Sequence, residues 1–345
     1  MTDSTIRTRS TASSTATTTE NEMTPSTTDQ AEQPLLTTDH NGKKSKTRLY
    51  TYDEVPDWQK DNHYILTGYV KETNSVRECI RSLFYLHNES VNVLSHLLPG
   101  SVFPLALALI VGPFFLVHSN TNNLIKYLPS WLFAIPIYPE TTTSTDKLIF
   151  HIFFSGFITC LSCSAVFHLM KSHSLKVSVF GNQLDYVGII ALIVTSMIGI
   201  IFYGFRDNLT PMRVSLGLVC TLGSICLCIT LIPQFKESKW RPFRASMFVI
   251  FGLSSVVPIG YGLWLYGVSE TFARTGLMWV LLEGLGYCSG AFIYAARVPE
   301  RYSPGTFDIF GHSHQIFHVL VVVSAYFHFR GLIEAYKYCH ENLTW

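Results

Sequence analysis

The stretch Ser313-His-Gln-Ile-Phe-His-Val-Leu-Val-Val-Val-Ser-Ala-Tyr-Phe-His328 decides the fold. Continued to residue 335, it is apolar for the roughly 20 residues that a helix needs to cross the hydrocarbon core of a bilayer. Yet it opens with two imidazoles, His314 and His318, spaced i, i+4. That spacing sets both rings on one helix face about 6 Å apart, close enough to share a metal ion. Working outward, six more stretches pass the same test of length and polarity: 92–117, 148–170, 186–205, 212–233, 245–267 and 275–296. Pro99, Gly100, Pro104 and Pro258 interrupt them, which a membrane bundle tolerates because neighbouring helices satisfy the freed backbone groups. The run 127–139 is apolar but short and carries three prolines, so it is expected at the interface. The expected fold is an all-α membrane protein: a seven-transmembrane helix bundle over 91–335, followed by a short outer tail, 336–345.

Composition agrees. Only 14% of the 345 residues are charged, against about 25% in soluble domains. A net charge of +1 gives no basic surface for nucleic acid. Six of the eight cysteines (Cys160, Cys163, Cys220, Cys226, Cys228 and Cys288) lie in apolar runs and read as small hydrophobes rather than a disulfide framework. Residues 1–47 hold 18 Ser or Thr among the first 40 and no aromatic residue, so this disordered N-terminal tail is expected to bury too little apolar area to fold. No apolar core of a signal peptide is present there. Residues 48–90 regain aromatics interleaved with charge and read as a juxtamembrane segment, with 76–86 an amphipathic helix on the membrane surface.

Seven spans place the termini on opposite sides. Lys171, Lys176, Lys236, Lys239, Arg241, Arg244, Arg297 and Arg301, with Lys71, Arg77 and Arg81 of the N-terminal flank, face one side. Lys126, Lys147, Arg206, Arg213, Arg274, Arg330 and Lys337 face the other. Eleven against seven predicts a cytosolic N-terminus and a C-terminus outside by the positive-inside rule.

Ionisable groups inside a span are costly and mark candidate sites. His168 and Ser164 end the second span, Asp185 opens the third, and His314 and His318 open the seventh. Helix parity brings those three ends to one membrane face in either orientation. Three neutral imidazoles with an open position form the ligand set of catalytic zinc, and a nearby carboxylate is the usual partner of such a site. Taken singly, each residue has a plainer reading: a hydrogen-bonded histidine at a helix end, or Asp185 as the cap of a helix N-terminus. His328 lies about 15 Å further along the axis, too far for the same ion. His312 reads as a loop residue, His96 as an interhelical hydrogen-bonding group, and Glu283 as a protonated, hydrogen-bonded acid or the lining of a polar cavity.

The strings Ser164-AVF-His168, Leu184-Asp-Tyr-Val-Gly188, Ala295-Ala-Arg-Val-Pro-Glu-Arg301 and Ser313-His-Gln-Ile-Phe-His318 closely resemble the progestin and adipoQ receptor family. That family takes in the adiponectin receptors, the haemolysin-III-related proteins and fungal members. Val55-Pro-Asp-Trp58, Glu89-Ser-Val-Asn92 and Ser95-His-Leu97 extend the resemblance over about 50–335, and the low-complexity tail points to a fungal member. The resemblance implies a receptor with zinc (Zn2+) in the inner leaflet, ligands His168, His314 and His318, Asp185 beside a zinc-bound water and Ser164 lining the site. It implies zinc-activated hydrolysis of a lipid amide such as ceramide, with roles in lipid, sterol and zinc homeostasis. Lys171 and Arg297 then sit on the rim, where they could attract a released carboxylate. Expected partners are a membrane lipid (ceramide, fatty acid or sterol-like), with an extracellular protein or lipid ligand and a homo-oligomer left open. The alternative is a non-catalytic receptor or regulator with a structural zinc; a zinc transporter fits less well, because the polar residues cluster on one face. Leu94, Ser172, His312 and Glu283 depart from the family pattern, and none is a proposed ligand.

Overall fold

The computed structural model describes residues 36–38, 44–46, 48–110, 138, 141–232, 235 and 240–343. The interfacial run expected at 127–139 lies outside them apart from Tyr138, as does most of the 1–47 tail. Within that tail, β1 (Leu36–Thr38) and β2 (Lys44–Lys46) pair as antiparallel strands, where no regular structure was expected. The rest is helical: α1 (Val76–Arg81), α2 (Ser90–Ile110), α3 (Ser144–Met170), α4 (Leu175–Gly204), α5 (Leu209–Leu231), α6 (Arg241–Leu253), α7 (Val256–Thr275), α8 (Leu277–Ala296) and α9 (Ser313–Asn342).

Among the described residues, six helices are long and apolar enough to cross a membrane: α3, α4, α5, the run Pro242–Thr275 through α6 and α7, α8 and α9. The protein is an integral multi-pass membrane protein. The first expected span, 92–117, begins as α2, and its end lies outside the described residues. The fifth is longer than the expected 245–267. Ser254 and Ser255 keep right-handed helical angles between α6 and α7, and Pro258 falls in the first turn of α7, where its missing N–H costs no hydrogen bond. The kink comes instead at Gly267, with φ 81°.

Local chemistry sets the helix ends. Thr143 and Asp146 form a reciprocal capping box at the head of α3, with Thr143 N donating to Asp146 Oδ2 at 2.7 Å and Asp146 N to Thr143 Oγ1 at 3.3 Å; such pairs satisfy donors that a helix start leaves open. At α1, Ser75 Oγ accepts from Glu78 N at 3.4 Å. The expected surface helix over 76–86 is α-helical only to Arg81 and finishes as a 3-10 turn, Ser82–Phe84. Ser82 Oγ turns back to Cys79 O at 2.8 Å, and Tyr85 is extended. Its apolar side chains Val76, Ile80 and Phe84 are exposed, Phe84 by 80%.

The bundle closes by intimate packing. Without a hydrophobic drive between helices in lipid, small residues that let backbones approach become decisive. Gly188 of α4 lies against α3 so closely that an added Cβ would stand 2.9 Å from Cys160 Cα. That contact fixes the height of Asp185 relative to Ser164. Phe150, Phe153 and Phe157 of α3 interlock with Tyr203 of α4 and with Phe329 and Tyr336 of α9 in the main core.

Residues 48–88 are strapped to the connection between α8 and α9. Asp308 accepts from Leu66 N at 2.9 Å, Thr67 N at 2.7 Å and Thr67 Oγ1 at 2.7 Å. Glu300, fully buried, accepts from Asn62 Nδ2 at 3.0 Å and from Ser313 N at 2.8 Å. A carboxylate on the first N–H of α9 stabilises that helix start and so fixes where His314 and His318 begin.

Candidate metal centre

Two helices deliver the imidazoles. His168 comes from the last turn of α3, and His314 and His318 from the first two turns of α9. One ligand atom from each lies within 4.8 Å of the others. The rings meet almost edge to face, with centroids 4.9 Å apart for His168 and His314, 4.8 Å for His168 and His318, and 4.8 Å for His314 and His318. His168 and His318 are buried. The expected trio is thus brought together although 145 residues of chain lie between His168 and its nearer partner, His314.

The start of α2 supports the rings from behind. Glu89 Oε2 accepts from His168 Nδ1 at 2.8 Å and from Asn92 Nδ2 at 2.6 Å, and Glu89 Oε1 takes Lys171 Nζ at 2.6 Å. His318 Nδ1 donates to Asn92 O at 3.1 Å. Burial alone would raise the Glu89 carboxyl, but the Lys171 ammonium and the His168 imidazole overrule it and hold the group well below the usual carboxylate range. A charged Glu89 assigns the proton of His168 to Nδ1 and turns the lone pair of Nε2 toward the cluster. That Nε2 is buried and makes no hydrogen bond among the described residues. A buried acceptor without a partner is unusual, and a metal ion shared by the three gathered imidazoles is a partner whose chemistry suits it.

Glu89 and the Asn92 carbonyl are partners of the imidazoles that the sequence reading did not assign. The Glu89-Ser-Val-Asn92 string was visible as a motif, but nothing in it says that its acid faces an imidazole. His96, read as an interhelical hydrogen-bonding group, bonds His318 O through Nε2 at 3.2 Å and stacks its ring on that of His318 at 3.9 Å. His312, read as a loop residue, precedes α9 but is buried, with Nε2 at 3.3 Å from Asn88 O. Lys171 and Arg297 do not stand loose on the rim. Lys171 is bound to Glu89, and Arg297 donates to Asp61 O at 2.9 Å.

Asp185 sits about three turns inside α4 rather than at its opening, which removes the plain reading of a helix cap. It is buried beside Ser164, with His168 and Lys171 near enough to act on its charge. The Ser164 hydroxyl is buried facing the Asp185 carboxyl and has no other hydrogen bond among the described residues.

A cavity of about 520 Å³ opens onto this cluster. His314, Asp185 and Tyr294 line one end, and Arg274 and Thr275 the other. Between them its wall follows α4 from Ser178 to Gly204, the length of a span. Trp58 and Lys60 of the juxtamembrane segment line it at the His314 end. The arrangement suits a long apolar chain with one reactive end at the imidazoles.

Fold and site together define a polytopic helical membrane protein with a three-histidine cluster, two of its rings buried and the third, His314, facing the end of a long cavity. Residues 84–329 match the family model described as Haemolysin-III related, and the chain belongs to that family. It is 46% identical over 301 residues to the ADIPOR-like receptor IZH2 of Saccharomyces cerevisiae, covering 87% of this chain and 88% of that one. It is 39% identical over 308 residues to the ADIPOR-like receptor IZH1 of Eremothecium gossypii, covering 89% and 91%. To the adiponectin receptor protein of Drosophila melanogaster it is 35% identical over 287 residues, 83% of this chain and 59% of that longer protein.

Proposed function

We propose that the chain is a seven-span, adiponectin-receptor-like membrane protein in which His168, His314 and His318 hold Zn2+ in the inner leaflet, and that it hydrolyses an amide-linked lipid of the ceramide class. In this reading α2 is the first span, the N-terminus is cytosolic and the C-terminus lies outside, and the reaction feeds lipid, sterol and zinc homeostasis signalling. The observation that carries it is the gathering of three imidazoles where His314 and Asp185, the latter beside Ser164, line one end of a cavity as long as a span.

Zinc in a three-histidine site supplies Lewis acidity and lowers the pKa of a water in its open position to about 7. Asp185 is placed to take the proton that the attacking water gives up and to pass it to the amide nitrogen as the C–N bond breaks. In this reading the Ser164 hydroxyl, whose neighbour is the Asp185 carboxyl, donates to the carbonyl oxygen as charge builds there; one such donor is worth about 10²–10³-fold in known hydrolases. The apolar wall holds the acyl chain and excludes bulk water. Glu89 orients His168 without touching substrate.

The test is purified protein in detergent with a fluorescent ceramide. Release of free fatty acid is expected, with Asp185→Asn abolishing release while bound zinc stays. Paired replacement His314→Ala with His318→Ala should remove the zinc itself. No hydrolysis of any acyl-sphingoid amide by zinc-loaded wild type would overturn the enzymatic reading. It would favour the structural alternative, which draws on the way Glu89 and Asn92 couple the cluster to α2 as well as to α3 and α9. Undiminished zinc in the double variant would overturn the ligand assignment.

A further inference from the structure

Well away from the histidine cluster, the cavity carries a second set of polar groups. Glu283 of α8 and His328 of α9 are paired, with Glu283 Oε2 accepting from His328 Nδ1 at 2.8 Å. Both line the cavity. The His328 side chain is 2% exposed, and its Nε2 makes no hydrogen bond among the described residues. Tyr287, one turn from Glu283 on the same face of α8, also lines the cavity with a buried, unpartnered hydroxyl, and so do Ser196 of α4 and Thr271 of α7. Four buried polar atoms without partners on one cavity wall are many, since nearly all such atoms in folded proteins are hydrogen-bonded.

Their height is fixed by helix geometry. His328 lies ten residues beyond His318, about 15 Å along the axis at 1.5 Å per residue. Ser196 lies eleven beyond Asp185, a similar distance. Half of a hydrocarbon core is also about 15 Å, so His328 with its partner Glu283, and Ser196, stand near the bilayer midplane, while Thr271 lies toward the far end of the cavity beside Thr275. At the midplane an ionisable pair is costly unless a function retains it. The chemistry is specific. Glu283 engages Nδ1 of His328, which leaves Nε2 as an acceptor, while the Tyr287 hydroxyl can donate. One hydroxyl group satisfies both, giving its own proton to Nε2 and accepting that of Tyr287. A carbonyl or an ether can accept but not give.

We propose that Glu283, Tyr287 and His328 form a second binding station, and that the lipid this cavity takes carries a hydroxyl near the middle of its chain, about 15 Å from the end held at the histidine cluster. The station rests on the reading of the cavity as a lipid site and is independent of any hydrolysis there.

The experiment uses the full-length protein in detergent, with displacement of a fluorescent fatty acid by three competitors: stearic acid, hydroxystearic acid with the hydroxyl at mid-chain, and hydroxystearic acid with the hydroxyl beside the carboxyl. The mid-chain isomer is expected to bind at least tenfold tighter than the other two. Tyr287→Phe, which removes one oxygen and keeps the ring, should cut that preference several-fold with stearic acid binding unchanged. His328→Phe should erase it. Equal binding of the three acids by wild type would overturn the station alone, leaving water as the partner of these atoms. A preference that survives both replacements would also overturn it. Failure of every acid to bind would overturn the lipid reading of the cavity together with the station.

Discussion

Replacing Glu89 tests the candidate metal centre from behind, without touching a ligand. In the structure its carboxylate takes three donors: His168 Nδ1 at 2.8 Å, Asn92 Nδ2 at 2.6 Å and Lys171 Nζ at 2.6 Å. Glu89→Ala leaves all three without their acceptor, and a buried donor so abandoned costs about 1–3 kcal/mol. It also frees the His168 ring to rotate and to take the tautomer that puts its proton toward the cluster. Loss of such outer partners weakens metal binding by about 10–100-fold, or about 1.4–2.8 kcal/mol. Glu89→Gln keeps one oxygen for Nδ1 but gives up the charge, so its loss should fall near tenfold, with Ala near a hundredfold. The assay is competition for zinc against a chromogenic chelator at fixed pH, on protein shown monodisperse by gel filtration. Zinc affinity of wild-type strength in folded Glu89→Ala would refute the reasoning, because the carboxylate would then have no hold on the ligand.

Three more expectations follow from particular contacts. His87 is buried just before α2, and burial pushes its imidazole down to about 4 despite the neighbouring charge of Glu89; its Nδ1 accepts from Glu89 N at 3.2 Å. A depressed folded value against about 6.5 unfolded means stability is complete above pH 6.5 and is lost as pH falls toward 4, by about 3 kcal/mol in all; His87→Asn should flatten the melting profile between those limits, and parallel profiles would contradict it. Gly188→Ala should cost about 1–3 kcal/mol by overpacking, since its Cβ would press on Cys160 Cα at 2.9 Å; an unchanged melting temperature in detergent would mean α3 and α4 separate freely. Asp308→Ala removes the acceptor for three donors on Leu66 and Thr67, so limited proteolysis within 48–75 should speed up while the transmembrane core stays intact, and an unaltered cleavage rate would show that the strap lies elsewhere.

Reading the sequence recovered the parts of the site that obey periodicity. His314 and His318 share a helix face because they are four apart. His168 joins them because an even number of spans, four, separates the end of α3 from the start of α9. Those are arguments about direction and rise, which a single chain carries on its surface. The supporting groups obey no such rule. Glu89 stands 79 residues before His168 and looks like any acid at a membrane rim, while the Asn92 acceptor is a main-chain oxygen with no side-chain signature. Asp185 looked like a helix cap because its span was read to begin at 186. The polar head of α4, from Leu175, is helical as well and carries it inward. Glu283 and His328 were each conspicuous, but the rise per residue could place only their depth. Their partnership depends on α8 and α9 running antiparallel side by side, a property of packing. Local rules therefore located the three imidazoles, and only the folded bundle identified what holds them in place. That division has a physical origin: a ligand must be a particular atom at a particular turn, whereas its supporters need only reach the ring from whichever helix lies alongside.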